Sequence, residues 1–146
     1  MDLVKQYVVF KLGDEEYGID ILQVKTIEKV LPITRIPRAP HYVKGVINLR
    51  GEIIPVIDLK KKFDLKEEEL TPEARIIIVC VADITIGMIV DSATEVIQLT
   101  QDSIEPANSI KVGINSDFIE GVGKLEEDRL LIILNLEKLI ANVRVS

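Results

Sequence analysis

Short apolar runs separated by Gly, Pro, Asp and Asn dominate the chain. Runs of about four to eight residues between such breakers are typical of β-strands and too short for most helices. The predicted strands lie at residues 7–12, 17–20, 45–49, 53–59, 76–81, 84–90, 95–99 and 130–136. The pattern therefore predicts an all-β protein.

Two short helices are predicted from the same reading. Near the end of the chain, apolar residues recur at the spacing of one helix face, at Leu136, Leu139, Ile140 and Val143. Asn135 precedes them and can cap the helix. A shorter helix is predicted to begin at Asp58, whose acidic side chain favours a helix start, with Leu59 and Phe63 facing inward.

The two halves of the sequence resemble each other. Residues 42–61 and residues 118–138 both read as a strand, a tight turn, a strand and a helix start, which predicts an internal duplication. Between them, the polar and aperiodic residues 64–75 indicate an exposed connection. The sub-barrels predicted on this basis are residues 7–70 and residues 75–140.

Each half offers about five short strands, and a sheet this small must close or pair to protect its edges and its apolar face. We therefore predict two small barrels that pack through an aliphatic core and together form a single domain of residues 1–146. The first strand could pair with the second barrel, which the sequence leaves open.

Composition narrows the classes of partner. Apolar residues make up 47% of the chain, aromatic residues only 4%, and the formal net charge is -6. An acidic chain offers no general basic face for phosphates, which argues against nucleic acid and anionic membranes as partners. The N-terminus lacks a secretion signal, and no apolar run approaches the ~20 residues that span a bilayer, so we predict a cytoplasmic protein without membrane insertion.

Catalytic and metal-binding groups are sparse. Cys80 and His41 are the only residues of their types; the cysteine is predicted to be a small core residue, and one of each cannot form a zinc site. Asp20, Asp58 and Asp91 close apolar runs, where acids more often cap turns than catalyse reactions. We therefore predict no catalytic residues, no metal and no cofactor, although a carboxylate-based hydrolase remains a distant alternative.

Three blocks of sequence carry a specific family resemblance. They are residues 10–21, residues 36–59 with Asn48-Leu49-Arg50-Gly51 at their centre, and residues 86–91 followed by 121–123 and 131–136. In order and spacing they resemble the CheW family of bacterial chemotaxis adaptors. The resemblance implies two intertwined five-stranded SH3-like β-barrels packed together, with a short C-terminal helix.

The resemblance also implies partners. Members of this family bridge the cytoplasmic hairpin of a chemoreceptor, a methyl-accepting chemotaxis protein, to the regulatory domain of the histidine kinase CheA, and are recruited to membrane receptor arrays. The alternative is the homologous regulatory module of a CheA-type kinase; the start at Met1 and the short tail favour the separate adaptor. A variant fused to a receiver domain would need residues beyond this chain. The receptor class is not predicted.

Site residues follow from the resemblance position by position. Apolar residues in a groove between the barrels are expected to bind the receptor: Ile21, Val24 and Val96. The arginine of the Asn-Leu-Arg-Gly turn and its flanking isoleucines are expected to contact the kinase or the array: Arg50, Ile47 and Ile53. Two glycines and a proline are expected to set turn or strand geometry instead: Gly45, Gly51 and Pro55.

Overall fold

The computed structural model describes residues 3–66, 68–106, 114–126 and 128–141. The strands are β1 Val4–Leu12, β2 Glu15–Asp20, β3 Val24–Lys29, β4 Val43–Leu49, β5 Glu52–Asp58, β6 Arg75–Val81, β7 Ile84–Val90, β8 Ser92–Thr100, β9 Ile104–Pro106, β10 Ile119–Lys124 and β11 Leu130–Leu134. The helices are α1 Leu59–Lys62 and α2 Leu136–Ile140, and short 3-10 turns span Ile21–Gln23, Gln101–Ser103 and Ser116–Phe118. The predicted all-β class is confirmed.

The strands form two sheets. Sheet A has the order β8-β1-β2-β11-β10-β9, and sheet B has the order β3-β6-β7-β5-β4. These sheets correspond to the two predicted SH3-like barrels, with β9 adding a sixth strand to the five expected in sheet A. Strand β9 is three residues long, and the sequence pattern did not reveal it.

The two halves of the chain exchange their first hairpins. Hairpin β1-β2 lies between β8 and β11 of the second half, and hairpin β6-β7 lies between β3 and β5 of the first half. In both sheets the inserted hairpin makes one antiparallel and one parallel pairing with its new neighbours. The sheets therefore do not coincide with the consecutive sub-barrels 7–70 and 75–140, because each takes a hairpin from the other half.

Both predicted helix starts are present, and the halves use the same local geometry. The Asp58 carboxylate accepts a hydrogen bond from the Lys61 N–H, and the Asn135 side-chain oxygen accepts one from the Lys138 N–H. These caps satisfy backbone donors that the first helical turn leaves free. Leu59 and Phe63 are buried as predicted. Val143 lies outside the described residues.

Three apolar clusters hold the sheets together. The first lies between the sheets and takes residues from both, including Phe10 and Tyr17 from sheet A and Ile77 and Met88 from sheet B. The other two are smaller, one formed mainly by sheet B and one mainly by sheet A. A fully buried side chain of this size contributes roughly 1.5–3 kcal/mol, so the shared cluster ties the halves into one unit. Cys80, predicted to be a core residue, is only partly buried.

An ion pair crosses between the sheets beside this core. The Lys60 ammonium of α1 lies 2.7 Å from Asp91 Oδ2, and the Gly13 N–H donates to the same carboxylate oxygen at 2.7 Å. Lys60 follows β5 of sheet B, whereas Gly13 belongs to the turn between β1 and β2 of sheet A. A buried ammonium needs a charged partner, and Asp91 supplies it.

Candidate functional site

A 3-10 turn at the seam between the sheets exposes apolar side chains. Ile21–Gln23 joins β2 of sheet A to β3 of sheet B, and the Leu22 N–H donates to Asp20 Oδ1 at 2.9 Å. This capped turn leaves Leu22 89% exposed, while Ile21 is half-buried against the cluster between the sheets. An apolar side chain held this far into solvent has no folding role that the structure reveals.

The other two residues predicted to bind a receptor border the same cluster. Val24 of β3 pairs with Val79 and is half-buried, while Val96 of β8 pairs with Val8 and is 50% exposed. Residues directly opposite in antiparallel strands point to the same face of a sheet. Val24 and Val96 therefore lie on two edge strands, one in each sheet, and point to the same side as the shared core.

Two further residues belong to this surface, and the sequence reading did not select them. Leu22 lies between Ile21 and Val24, and Ile27 pairs with Ile77 of the shared cluster while remaining 42% exposed. Their position within an apolar stretch was visible in the sequence, but their exposure depends on the turn and on the open edge of β3. We call the surface formed by Ile21, Leu22, Val24, Ile27 and Val96 the apolar seam.

Arg50 lies at the tip of the hairpin formed by β4 and β5. Leu49 pairs with Glu52, so Arg50 and Gly51 form a two-residue loop with φ values of 52° and 88°. Positive φ at both loop positions defines the type I′ turn that matches the twist of a hairpin. The Gly51 N–H donates to Asn48 Oδ1 at 2.9 Å, which fixes the loop.

The Arg50 side chain is available to a partner. It is 72% exposed, and its nearest acidic atom is Glu28 Oε1 at 3.7 Å from Arg50 Nη2. Ion pairs this exposed contribute little to stability. Glu28 of β3 pairs with Ile76, which belongs to the smaller cluster of sheet B, so the ion pair lies on the face of β3 opposite to Ile27.

The two isoleucines that flank this turn differ in accessibility. Ile47 pairs with Ile54, and both are buried at 1% exposure in the smaller cluster of sheet B. Ile53, by contrast, is 61% exposed. The burial of Ile47 argues against its predicted role in a direct contact, whereas Ile53 and Arg50 are both accessible.

The three residues expected to set backbone geometry occupy different places. Gly51 lies in the turn, as expected, but Gly45 lies within β4 at a register shift and not in a tight turn. A Cβ on Gly45 would lie 2.0 Å from the Thr34 carbonyl oxygen, so its role is to let the preceding connection approach β4. Pro55 lies in β5 one residue before that strand begins to pair with β7.

The carboxylates considered for acid-base chemistry have structural partners. Asp20 caps a 3-10 turn, Asp58 caps α1 and lies 3.9 Å from the Lys44 ammonium, and Asp91 holds Lys60. His41 Nε2 lies 3.3 Å from the Lys61 carbonyl oxygen at the surface. The geometry gives each of these groups a role in turns, caps or ion pairs rather than in a shared catalytic site.

An exposed charge cluster connects β2 and β8 of sheet A with the residue that precedes β11. The Arg129 guanidinium donates to both carboxylate oxygens of Glu16, at 2.8 and 3.0 Å, and to Glu95 Oε1 at 2.7 Å. The hydrogen bond from Arg129 is the largest influence on Glu16 and lowers the pKa of its carboxyl group below the ordinary value. The same two acids raise the pKa of Arg129.

Among the residues that the structure describes, no group of three or more His, Cys, Asp or Glu side chains is arranged to hold a metal ion. No helix in the described ranges is both long enough and apolar enough to cross a membrane.

Comparison with known proteins gives a consistent result. A family model described as a CheW-like domain matches residues 6–144. The chain is 44% identical to the chemotaxis protein CheW of Bacillus subtilis over 134 residues, covering 90% of this chain and 83% of that protein. It is 38% identical to CheW of Klebsiella aerogenes over 142 residues, covering 97% of this chain and 85% of that protein.

A solved structure shares the same fold. The crystal structure of the scaffolding protein TtCheW from Thermoanaerobacter tengcongensis aligns with a TM-score of 0.87 and 43% sequence identity. The alignment covers 94% of this chain and 88% of that one. Fold and sequence therefore agree over nearly the whole chain.

Proposed function

Because this chain belongs to the CheW-like family, we propose that it is a non-catalytic chemotaxis adaptor that couples the cytoplasmic tip of a chemoreceptor to the regulatory domain of the kinase CheA. The observation that carries the proposal is the family match across residues 6–144. The exposed apolar and arginine side chains supply two surfaces on which such coupling can occur.

We assign the receptor contact to the apolar seam. Aliphatic side chains that are exposed at the junction of two sheets fit the apolar face of a helix, which buries its own side chains into such a surface. Leu22, Ile27 and Val96 are the most exposed members and therefore have the most area to bury. The seam draws on both sheets, so a helix lying along it contacts both halves of the chain.

We assign the kinase contact to the hairpin tip at Arg50 together with Ile53. An exposed arginine beside an exposed isoleucine combines a planar hydrogen-bonding group with an apolar anchor, a composition common at protein interfaces. Ile47 supports this hairpin from the core of sheet B and is not assigned a contact.

Two separate surfaces on one chain give the adaptor its mechanism. Each contact on its own can be weak, because binding at one surface raises the effective concentration of the second partner at the other. The Arg50–Glu28 ion pair joins the hairpin tip to β3 on the face of that strand opposite to Ile27, so the two surfaces are distinct. The assembly brings the receptor and the kinase close together and orients them, and no covalent bond is made or broken.

Calorimetric titration with a receptor cytoplasmic fragment and, separately, with the CheA regulatory domain tests this assignment. We expect Val96→Glu to weaken receptor binding about tenfold or more, because a buried charge without a partner is costly. Ile84 is similarly exposed and lies outside the seam, so Ile84→Glu is the matched control and leaves receptor binding unchanged.

For the kinase contact, we expect Arg50→Ala to weaken CheA binding and Arg50→Lys to restore only part of it, because lysine keeps the charge but lacks the planar fork. Thermal unfolding of each variant checks that it is folded. Failure of the parent protein to bind either partner would overturn the proposed function. Binding that is insensitive to Val96→Glu or to Arg50→Ala would remove the corresponding surface assignment.

A further inference from the structure

A basic groove lies on the connection between β3 and β4, and its lining shares no residue with the two surfaces assigned above. The groove has a volume of ≈ 990 Å³, and its lining includes four cationic side chains, Arg35, Arg38, Lys44 and Lys61, and no carboxylate. The chain as a whole carries a net charge of -6. The groove is therefore a positively charged region on a chain whose net charge is negative.

Two of these cations are free to bind a ligand. Arg35 and Arg38 are exposed, and within the described part of the chain neither guanidinium makes a hydrogen bond or an ion pair. By comparison, Arg129 is held by two acids and Lys60 by one. Arg38 also has φ of 64°, a conformation that glycine or asparagine adopts at lower cost.

The groove is held in place before any ligand arrives. Thr34 and Val46 exchange two backbone hydrogen bonds at 2.8 and 2.9 Å, and the Val43 N–H donates to the Pro40 carbonyl oxygen at 2.9 Å. Pro37 and Pro40 restrict the backbone of the connection further. A wall that is already ordered loses little conformational entropy on binding.

The lining also selects the type of anion. Half-buried Ile33, Ile36 and Val43 lie among the cations, so the groove offers apolar area as well as positive charge. Its volume is in the range of sites for extended organic ligands, well above that of a single small anion. Next to it, Glu68 and Glu69 share the lining of a smaller pocket with Lys44 and Lys61.

We propose that this groove binds an extended acidic segment of a partner polypeptide, with carboxylates of the segment paired to Arg35 and Arg38 and its aliphatic side chains against Ile33, Ile36 and Val43. Arginine suits this role because its fork accepts a carboxylate in two parallel hydrogen bonds. The inference goes beyond the proposed adaptor function and does not depend on it, because it rests on the groove alone.

An NMR titration of the ¹⁵N-labelled full chain tests the proposal. The probe is a short synthetic peptide, blocked at both ends, in which Glu alternates with Leu, and the comparison peptide has Lys in place of Glu. We expect saturable amide shifts concentrated in residues 33–44, which weaken as salt is added. The comparison peptide and inorganic phosphate at the same concentration should leave these amides unshifted.

The decisive variant is Arg35→Ala/Arg38→Ala, for which we expect the dissociation constant of the acidic peptide to rise about tenfold. Lys25→Ala/Lys29→Ala is the matched control: it removes the same charge from exposed positions of β3 outside the groove and should change affinity by less than about twofold. Lack of saturable binding, equal weakening in both double variants, or equal shifts with phosphate alone would overturn the proposal. A thermal unfolding curve that matches that of the parent confirms, for each variant, that the fold is intact.

Discussion

Arg50 is held in a conformation that its residue type does not favour. The first position of a type I′ turn prefers Asn or Gly, whereas an L-residue with a longer side chain has a cost of about 1 kcal/mol in the left-handed region. The ion pair with Glu28 is too exposed to offset this cost in full. Arginine is therefore not the residue type that would give this turn its greatest stability.

We therefore predict that Arg50→Asn stabilises the fold by about 0.5 kcal/mol and at the same time weakens CheA binding. Urea unfolding of the variant and the parent, together with the calorimetric titration above, separates the two effects. Arg50→Ala, which loses the side chain but keeps the strain, serves as the control. A variant that loses stability would contradict the description of this turn as strained.

The hydrogen bond between Arg129 and Glu16 predicts how the stability of the fold changes with pH. Because the hydrogen bond from Arg129 lowers the pKa of Glu16 in the folded state, the folded protein binds fewer protons there than the unfolded chain does. The resulting stabilisation is present above the ordinary glutamate pKa and is lost as the pH falls through the lowered folded-state value. We therefore expect Glu16→Gln to lose less stability than the parent on acidification. Equilibrium urea unfolding at a series of pH values gives the free energy of unfolding of both proteins.

The control for this prediction is Glu137→Gln, which changes an exposed acid of α2 for which the structure records no such bond to arginine. That variant should follow the pH profile of the parent. If Glu16→Gln also followed the parent profile, the charge cluster of Glu16, Glu95 and Arg129 would contribute nothing to the stability of the fold.

The connection that precedes β4 can approach that strand closely only because Gly45 has no side chain. A Cβ at Gly45 would overlap the Thr34 carbonyl oxygen, whereas a Cβ at Gly51 would meet nothing within 4 Å. Both glycines have positive φ, so both substitutions have a backbone cost, but only one also forces the connection away.

We predict that Gly45→Ala destabilises the protein by more than about 3 kcal/mol and Gly51→Ala by about 1–2 kcal/mol. Chemical unfolding of both variants gives the comparison. Similar losses for the two would mean that the connection moves aside at little cost. In that case the groove that contains Arg35 and Arg38 would also be less rigid than its hydrogen bonds suggest.

How far sequence predicts an element depends on whether its signal is local. The caps at Asp58 and Asn135 and the strand β7 were predictable, because a capping side chain and an apolar run act within a few residues. Burial was harder to predict: Ile47 and Ile53 both flank the turn, yet only the pairing of β4 with β5 and the cluster beneath it decide which one reaches solvent.

The exchange of hairpins is the feature that the sequence left open. Apolar runs predict strands but not their neighbours, because strand pairing is decided by contacts between residues far apart in the chain. The position of β1 beside β8 and the corresponding position of β6 beside β3 could therefore be read only from the structure. The Asp58 N–H donates to the Tyr42 carbonyl oxygen and the Asn135 N–H to the Phe118 carbonyl oxygen, both at 2.8 Å, so the two halves share this local hydrogen bond.

For the whole molecule, the exchange has a consequence for folding. A fragment that ends in the connection at residues 64–75 keeps β3, β4 and β5 but lacks the hairpin β6-β7 that lies between β3 and β5. The other fragment has the same gap where β1-β2 belongs. Each fragment would expose unpaired strand edges and half of the shared core to water.

We predict that fragments 1–70 and 71–146 are each unfolded when expressed alone and assemble into a native-like complex when mixed. Circular dichroism and size-exclusion chromatography of each fragment, the mixture and the intact chain provide the measurement. A cooperative urea transition in either fragment alone would show that a half of the chain is an independent barrel. Because Ile21, Leu22, Val24 and Ile27 come from one fragment and Val96 from the other, we also expect receptor binding only in the mixture.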